Sequence, residues 1–205
     1  MPSTDKLPAP LRRVVEHLSR LPGLGPKSAL RIGLELLNMD EARARDIGAS
    51  IAELRDKLCM CRRCASLAES SPCAICSDPT RDDERLCLVS GWDTLLALEE
   101  VGVYRGRYLV LGGLLDPLES THPHQLQMGL LLTRLREGQV RELILALGST
   151  LEAENTASYI KNLLKSEGFS NVALTRLAQG IPMGAEVKYM DQQTLKQSLL
   201  YRQDV

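Results

Sequence analysis

The apolar positions of the first sixty residues are spaced as in helices. Leu11, Val14, Val15 and Leu18 recur at i, i+3, i+4 and i+7, which predicts an amphipathic helix over about 10–20. The residues from Leu21 to Gly25 break that pattern. Pro26 suits a first helical turn, and Ser28, Ala29, Leu30, Ile32, Leu34 and Leu37 carry a second helix after it. Asp40 stands where its carboxylate can cap a third helix, running to about Leu58. Residues 59–83 are rich in Cys, Ser, Pro and Asp without a sustained period, so they should be irregular and held by something other than an apolar core. The pattern then changes. Short apolar runs at 86–89, 108–111, 143–147 and 172–175 read as strands, separated by helical patterns at 94–100, 125–136 and 154–167. This alternation predicts a parallel sheet covered on both faces. The tail opens on Gly and Pro punctuation at Gly180 and ends in a helix over 191–201, whose Leu195, Leu199 and Leu200 need something to bury against.

The expected fold class is therefore α/β with an N-terminal all-α part, divided as 1–58, 59–83, 84–178 and 179–205. A chain of 205 residues, 44% hydrophobic, is long enough for one or two compact domains. The start, MPSTDKLPAPLRRVVEHLSR, scatters charges among its apolar residues, and no apolar run of membrane-spanning length follows. Neither an export signal nor a membrane anchor is expected, and the expected location is cytoplasmic.

The net charge of −1 means that any nucleic-acid surface must be a local patch. Up to Gly33 the basic Lys6, Arg12, Arg13, Arg20, Lys27 and Arg31 outnumber the acidic Asp5 and Glu16, which makes the N-terminal part the place to look. Aromatic residues make up only 3% of the chain, so contact with a sugar-phosphate backbone fits better than stacking of successive bases.

Two CxxC pairs, Cys61 with Cys64 and Cys73 with Cys76, are separated by eight residues. Two such knuckles can set four thiolates around a tetrahedral zinc, and the short loop limits the entropy of closure. Four protein thiolates leave no open position for water or substrate, so one structural zinc per chain is expected. Cys59 competes with Cys61 for the first ligand place, and Cys87 falls in an expected strand as a small buried residue.

In LPGLGPKSALRI, Gly23 and Gly25 form a tight turn ahead of Pro26, Lys27 and Ser28 at a helix start. Glycines let a backbone approach a phosphate, and the free amides of a helix start favour an anion. Lys27 and Arg31, four residues apart, share a face and can meet consecutive phosphates. A nucleotide-binding P-loop is not expected, because Pro26 replaces the glycine before the lysine and no strand precedes the turn. An ordinary helix hairpin without a ligand is the competing reading.

The segment LPGLGPKSALRI resembles a helix-hairpin-helix. Its order with the four-cysteine finger and a parallel α/β domain resembles the RecR family of bacterial recombination mediators over nearly the whole chain. The finger with its exit CSDPTRDDERLCLV, the segment STLEAENTASYI and the tail LAQGIPMGAEVKYMDQQTLKQSL, similar to the family's Walker B-like end, carry the likeness. The resemblance implies that the α/β part is a Toprim domain, whose enzymatic members hold magnesium through a Glu after the first strand and an Asp-x-Asp after the third. Here Ser90 stands at the first place and Gly148 and Ser149 at the second, which argues against magnesium chemistry. The resemblance implies a non-enzymatic protein at the bacterial nucleoid. It acts with RecO and RecF to load RecA on gapped or single-stranded DNA, and assembles as a ring-like dimer or tetramer through its N-terminal helices and tail. It makes Lys27 and Arg31 the phosphate contacts, beside the amides of the Gly23 and Gly25 turn, with Arg12 and Arg13 in support. It also places Glu152 and Glu154 in a segment that contacts RecO, though acidic side chains at a helix start are favoured by the helix dipole in any case. The stretch LGGLLDPLESTHPHQLQMG departs from the family's glycine-rich form, and His122 and His124 within it are expected to face solvent. The competing classes are a magnesium-dependent Toprim-type DNA-processing enzyme and a zinc-ribbon scaffold that never touches DNA.

Overall fold

The computed structural model describes residues 6–116 and 121–202. The chain divides between Lys57 and Leu58 into two compact units.

The first unit holds α1 (Ala9–Ser19), α2 (Pro26–Asn38) and α3 (Glu41–Glu53). Val15 of α1 and Ala29 of α2 are buried. A Cβ on Gly33 of α2 would lie 2.9 Å from Leu11 Cδ1 and 3.6 Å from Val15 Cγ2, so the two helices touch where one of them lacks a side chain. The Asp40 carboxylate caps α3 by accepting from the amides of Ala42 (3.0 Å) and Arg43 (3.3 Å). This helix ends at Glu53, short of the expected Leu58. It buries none of its residues within the chain and leaves Ile47, Ile51 and the following Leu54 exposed at helical spacing.

The second unit is built on a parallel sheet of β3 (Asp82–Val89), β4 (Gly106–Val110), β5 (Glu142–Ala146) and β6 (Ala173–Arg176), in the order β4-β3-β5-β6. Alternate residues go to opposite faces. Leu86, Leu88, Leu109, Leu143 and Leu145 pack with α6 (Met128–Arg136) and α7 (Leu151–Ser166). Cys87, Val89, Tyr108, Val110 and Ala146 pack with Leu95 and Leu98 of α5 (Trp92–Val101) and with Ala65 and Ile75 of the cysteine-rich segment. Both faces are thus covered, as the βαβ pattern predicts. The chain ends its described part in α8 (Gln192–Leu200), capped by Asp191 through the Thr194 amide (2.9 Å); Leu199 and Leu200 are exposed.

Several boundaries move, each for a local reason. Strand β3 starts at Asp82 because the polar residues before Leu86 also pair, the Asp82 amide donating to the Arg105 carbonyl (2.8 Å). Helix α6 starts at Met128 instead of 125, because Leu126 is buried in the core and the Gln127 amide donates to the Leu111 carbonyl (3.0 Å), which keeps the chain extended there. Helix α7 starts at Leu151 because the Thr150 hydroxyl caps it through the Ala153 amide (3.3 Å). The irregular segment contains a hairpin, β1 (Cys59–Met60) with β2 (Leu67–Ala68), and one short turn of helix, α4 (Ala74–Ser77).

Candidate functional site

The sulfurs of Cys61, Cys64, Cys73 and Cys76 all lie within 4.8 Å of one another, and all four residues are buried. The first knuckle is shaped by backbone bonds from Cys61 N to Ser66 O and from Ala65 N to Cys61 O (both 2.8 Å), with Ala65 in the left-handed region (φ 57°). The second is capped by its own ligand, the Cys76 amide donating to Cys73 Sγ (3.4 Å), and the Cys73 amide donates to Cys61 Sγ (3.3 Å). Cys64 Sγ and Cys73 Sγ are 3.6 Å apart. That is far longer than a disulfide of about 2.05 Å, and close to the edge of about 3.8 Å that a tetrahedron with metal–sulfur bonds of about 2.3 Å requires. The hydrogen bond with Cys76 holds the Cys64 thiol down at about 5, and that same bond pushes Cys76 up, while burial raises Cys73. Burial and close contact thus oppose ionising Cys73 and Cys76 beside Cys64, and a bound cation would supply the charge that offsets this. Cys59 is exposed on β1, outside the group, and burial in β3 pushes the Cys87 thiol up to about 12.

The finger is fastened to the sheet. Cys64 O accepts from the Val110 amide on the outer side of β4 (2.8 Å). The buried Arg107 guanidinium donates to Ile75 O (2.5 Å) and to the Asp83 carboxylate (2.8 Å), while Arg63 pairs with Glu137 (3.0 Å). None of these contacts is legible in the sequence.

In the first unit, Gly23 takes φ +76°, with Leu24 N donating to Leu21 O (3.1 Å), and the backbone then enters α2 at Gly25. No side chain caps α2, and the amides of Lys27 and Ser28 donate to nothing among the described residues. Lys27 and Arg31 are exposed on this helix. Arg13 is exposed and Arg12 half-buried on α1. The turn therefore offers unspent donors and two cations, the chemistry of an anion site.

At the C-terminal end of the sheet, Ser90 is half-buried with its carbonyl accepting from Gly112 N (3.1 Å), and Gly148 turns with φ +85° into the exposed Ser149. Among the described residues, the four cysteines are the one group of three or more His, Cys, Asp or Glu side chains gathered closely enough for a metal. His122 and His124 are exposed and stack on each other at 5.5 Å; residues 117–120 of the same stretch lie outside the described residues. On α7, Glu154 is held in a two-point ion pair by Arg176 (2.6 and 3.0 Å), which keeps its carboxyl below the usual range. The Glu152 carboxyl is also lowered, by its hydrogen bond with Thr150.

Comparison with known proteins agrees with this architecture. Residues 11–55 match the family profile described as RecR, helix-hairpin-helix; residues 84–178 match the Toprim domain; residues 180–203 match RecR, C-terminal. The chain is similar to proteins named Recombination protein RecR. It is 58% identical to that of Maridesulfovibrio salexigens, over 97% of this chain and 98% of the relative. It is 54% identical to that of Nitratidesulfovibrio vulgaris (98% and 100%), and 41% to that of Myxococcus xanthus (97% and 99%). No helix among the described residues is long and apolar enough to cross a membrane. Matching the RecR profiles in its N-terminal helices and its tail, and 58% identical over 97% of its length to a protein of that name, the chain belongs to the RecR family of recombination proteins.

Proposed function

We propose that this chain is a non-enzymatic mediator of recombinational DNA repair. It grips the backbone of gapped, single-stranded or double-stranded DNA and acts with RecO and RecF to help load RecA. The observation that carries this reading is the α2 entry, where the unpaired amides of Lys27 and Ser28 and the exposed cations of Lys27 and Arg31 face outward in a protein of a recombination family. Gly23 and Gly25 let the backbone come close, and Arg12 and Arg13 add charge. One zinc held by Cys61, Cys64, Cys73 and Cys76 is structural: when bound it supplies only the charge that keeps four thiolates together. Ser90, Gly148 and Ser149, in place of carboxylates, support the absence of magnesium chemistry.

The exposed Ile47, Ile51 and Leu54 around α3, and Leu199 and Leu200 of α8, support assembly into a ring-like dimer or tetramer, since apolar stripes of this kind need a cover. Glu152, whose carboxylate has no ion-pair partner in the described chain, is the better candidate for RecO contact than Glu154, which Arg176 already occupies. A protein with this task works at the nucleoid, in the bacterial cytoplasm.

Binding to gapped DNA across a salt series tests the hairpin. Lys27→Ala with Arg31→Ala should weaken binding about tenfold or more at low salt and reduce the slope of log K against log salt by about two. An unchanged slope sinks the assignment of DNA contact to this turn.

A further inference from the structure

The sheet ends at β6, and this edge borders a groove of about 580 Å³ between β6 and α7. We propose that the groove docks an extended acidic segment of a partner protein, which adds to β6 as a fifth strand.

Three features of the groove support this. The amides of Ala173 and Leu177 donate inward, to Arg141 O (2.8 Å) and Leu145 O (3.2 Å). Strand alternation therefore turns the N–H and C=O of Leu174 and Arg176 outward, where nothing among the described residues pairs with them. The floor is apolar, formed by the half-buried Phe169, Val172 and Leu174. The facing wall is cationic: Lys161 and Lys165 stand one turn apart on α7, exposed and without an ion pair among the described residues, and Arg176 closes the end against the single carboxylate of Glu154. In a chain of net charge −1 this is a local excess of positive charge beside open main-chain donors and acceptors.

A strand docked there would find hydrogen-bond partners along β6, pockets for alternate apolar side chains over Phe169 and Leu174, and lysines for the acidic side chains between them. Lysines also protect sheet edges by discouraging pairing, but for that they sit on the edge strand itself. These two stand on the helix across the groove, where they attract an occupant of opposite charge. A nucleic-acid strand is the less suitable guest, because the floor has one half-buried ring and no exposed aromatic platform for bases.

The test uses the metal-loaded full chain and a fluorescent peptide of about eight residues alternating Asp with Leu or Phe, a length that spans one strand. The acidic peptide should bind, and its counterpart with Lys for Asp should bind at least about tenfold more weakly. Lys161→Glu with Lys165→Glu, both at exposed positions, should weaken the acidic peptide by a similar factor while circular dichroism stays unchanged. N-methylation of alternate peptide amides should abolish binding in one register and spare it in the other, because only every second residue of an added strand donates to β6. Lys27→Ala should leave peptide affinity alone, which separates this site from the hairpin. The proposal is overturned by the absence of binding, by equal affinity for both peptides, by indifference to the charge reversal or by equal loss in both methylation registers. Displacement of the peptide by a short single-stranded oligonucleotide, itself lost on charge reversal, makes the groove a nucleic-acid surface and equally overturns it.

Discussion

The two edges of the sheet are finished in opposite ways. At β4 the chain covers itself: the Val110 amide, which would otherwise face outward, is taken by Cys64 O, and Arg107 ties the strand to Ile75 O and Asp83. At β6 the outward groups of Leu174 and Arg176 meet nothing in the described chain, and the ground beside them is a groove with basic walls. An unpaired edge invites pairing with another chain, and proteins cover, charge or shorten it. Here one edge is closed by a segment too small and too polar to form a core of its own, and the other is short, flanked by charge and open. The finger is therefore more than a brace. Its first knuckle takes up the outward Val110 amide of β4, and Ala65 and Ile75 belong to the apolar cluster beneath the sheet, so what holds the four sulfurs also holds that face.

The largest expected effect breaks the closed edge. Cys64→Ala, or removal of the metal by a chelator, should take metal content from one per chain to none and release the knuckle, since thiolate sites of this kind supply the folding free energy of small metal-bound segments, about 10 kcal/mol in isolated fingers. Hydrogen exchange of the Val110 amide should rise steeply, whereas the outward amides of β6 should exchange as before. Protection of Val110 that survives in metal-free protein would show that Cys64 O does not depend on the metal for its place.

A smaller effect loosens the same edge while keeping the metal. The Arg107 side chain is only 8% exposed, and its Nε and Nη1 donors go to separate partners. Arg107→Ala leaves Ile75 O without its donor and should cost about 2 kcal/mol of unfolding free energy, as Asp83 is open enough to water to recover part of its hydration. Lysine should not rescue it, since one ammonium cannot span both acceptors as the planar guanidinium does. A denaturant midpoint unchanged by Arg107→Ala, at constant metal content, removes Arg107 from the fastening.

How much of this contrast was legible in the sequence depends on range. Local signals carried well. The spacing of Val14, Val15 and Leu18 gave the first helix, Asp40 gave the cap of the third, and the two CxxC pairs marked the residues whose sulfurs the fold gathers. The alternating apolar runs gave four parallel strands, each within a few residues. What stayed hidden is carried by backbone groups or by polar residues that periodicity ignores. Asp82 extends β3 because Gly106 of a parallel neighbour pairs with it, and no pattern of apolar residues reports that. The bond from Val110 to Cys64 joins a carbonyl to an amide forty-odd residues away and leaves no trace in side-chain chemistry. Arg107 lies buried although it carries a charge, and Leu126 interrupts a helical pattern because the core needs its side chain. At the open edge a signal was present: Lys161 and Lys165 are four residues apart. Their meaning came only when the strand order left β6 without a neighbour.

The smallest expected effect compares one ion pair beside each edge as the pH falls. On the β4 side, Arg81, with 8% of its side chain exposed, hydrogen-bonds the Glu99 carboxylate and also donates to Gly106 O at the strand's start (3.3 Å), and this bond draws the Glu99 carboxyl below its ordinary range. On the β6 side, Arg176 lowers Glu154 in the same sense, but both partners are more than 40% exposed. For both glutamates the folded-state pKa lies below the unfolded one. Their stabilisation is therefore complete above the unfolded value of about 4.3 and is lost as the pH drops through the lower folded value. Solvent screens the Glu154 pair, so Glu154→Gln should change stability at neutral pH by no more than about 0.5 kcal/mol and barely alter its slope with pH. Glu99→Gln should flatten the acid-side slope more visibly, by about 1 kcal/mol between neutral pH and the acid limit, because the guanidinium it serves is buried. Unfolding midpoints measured from neutral to acid pH for the two variants decide the matter: equal slopes would mean that the closed edge draws no more from its ion pair than the open one does.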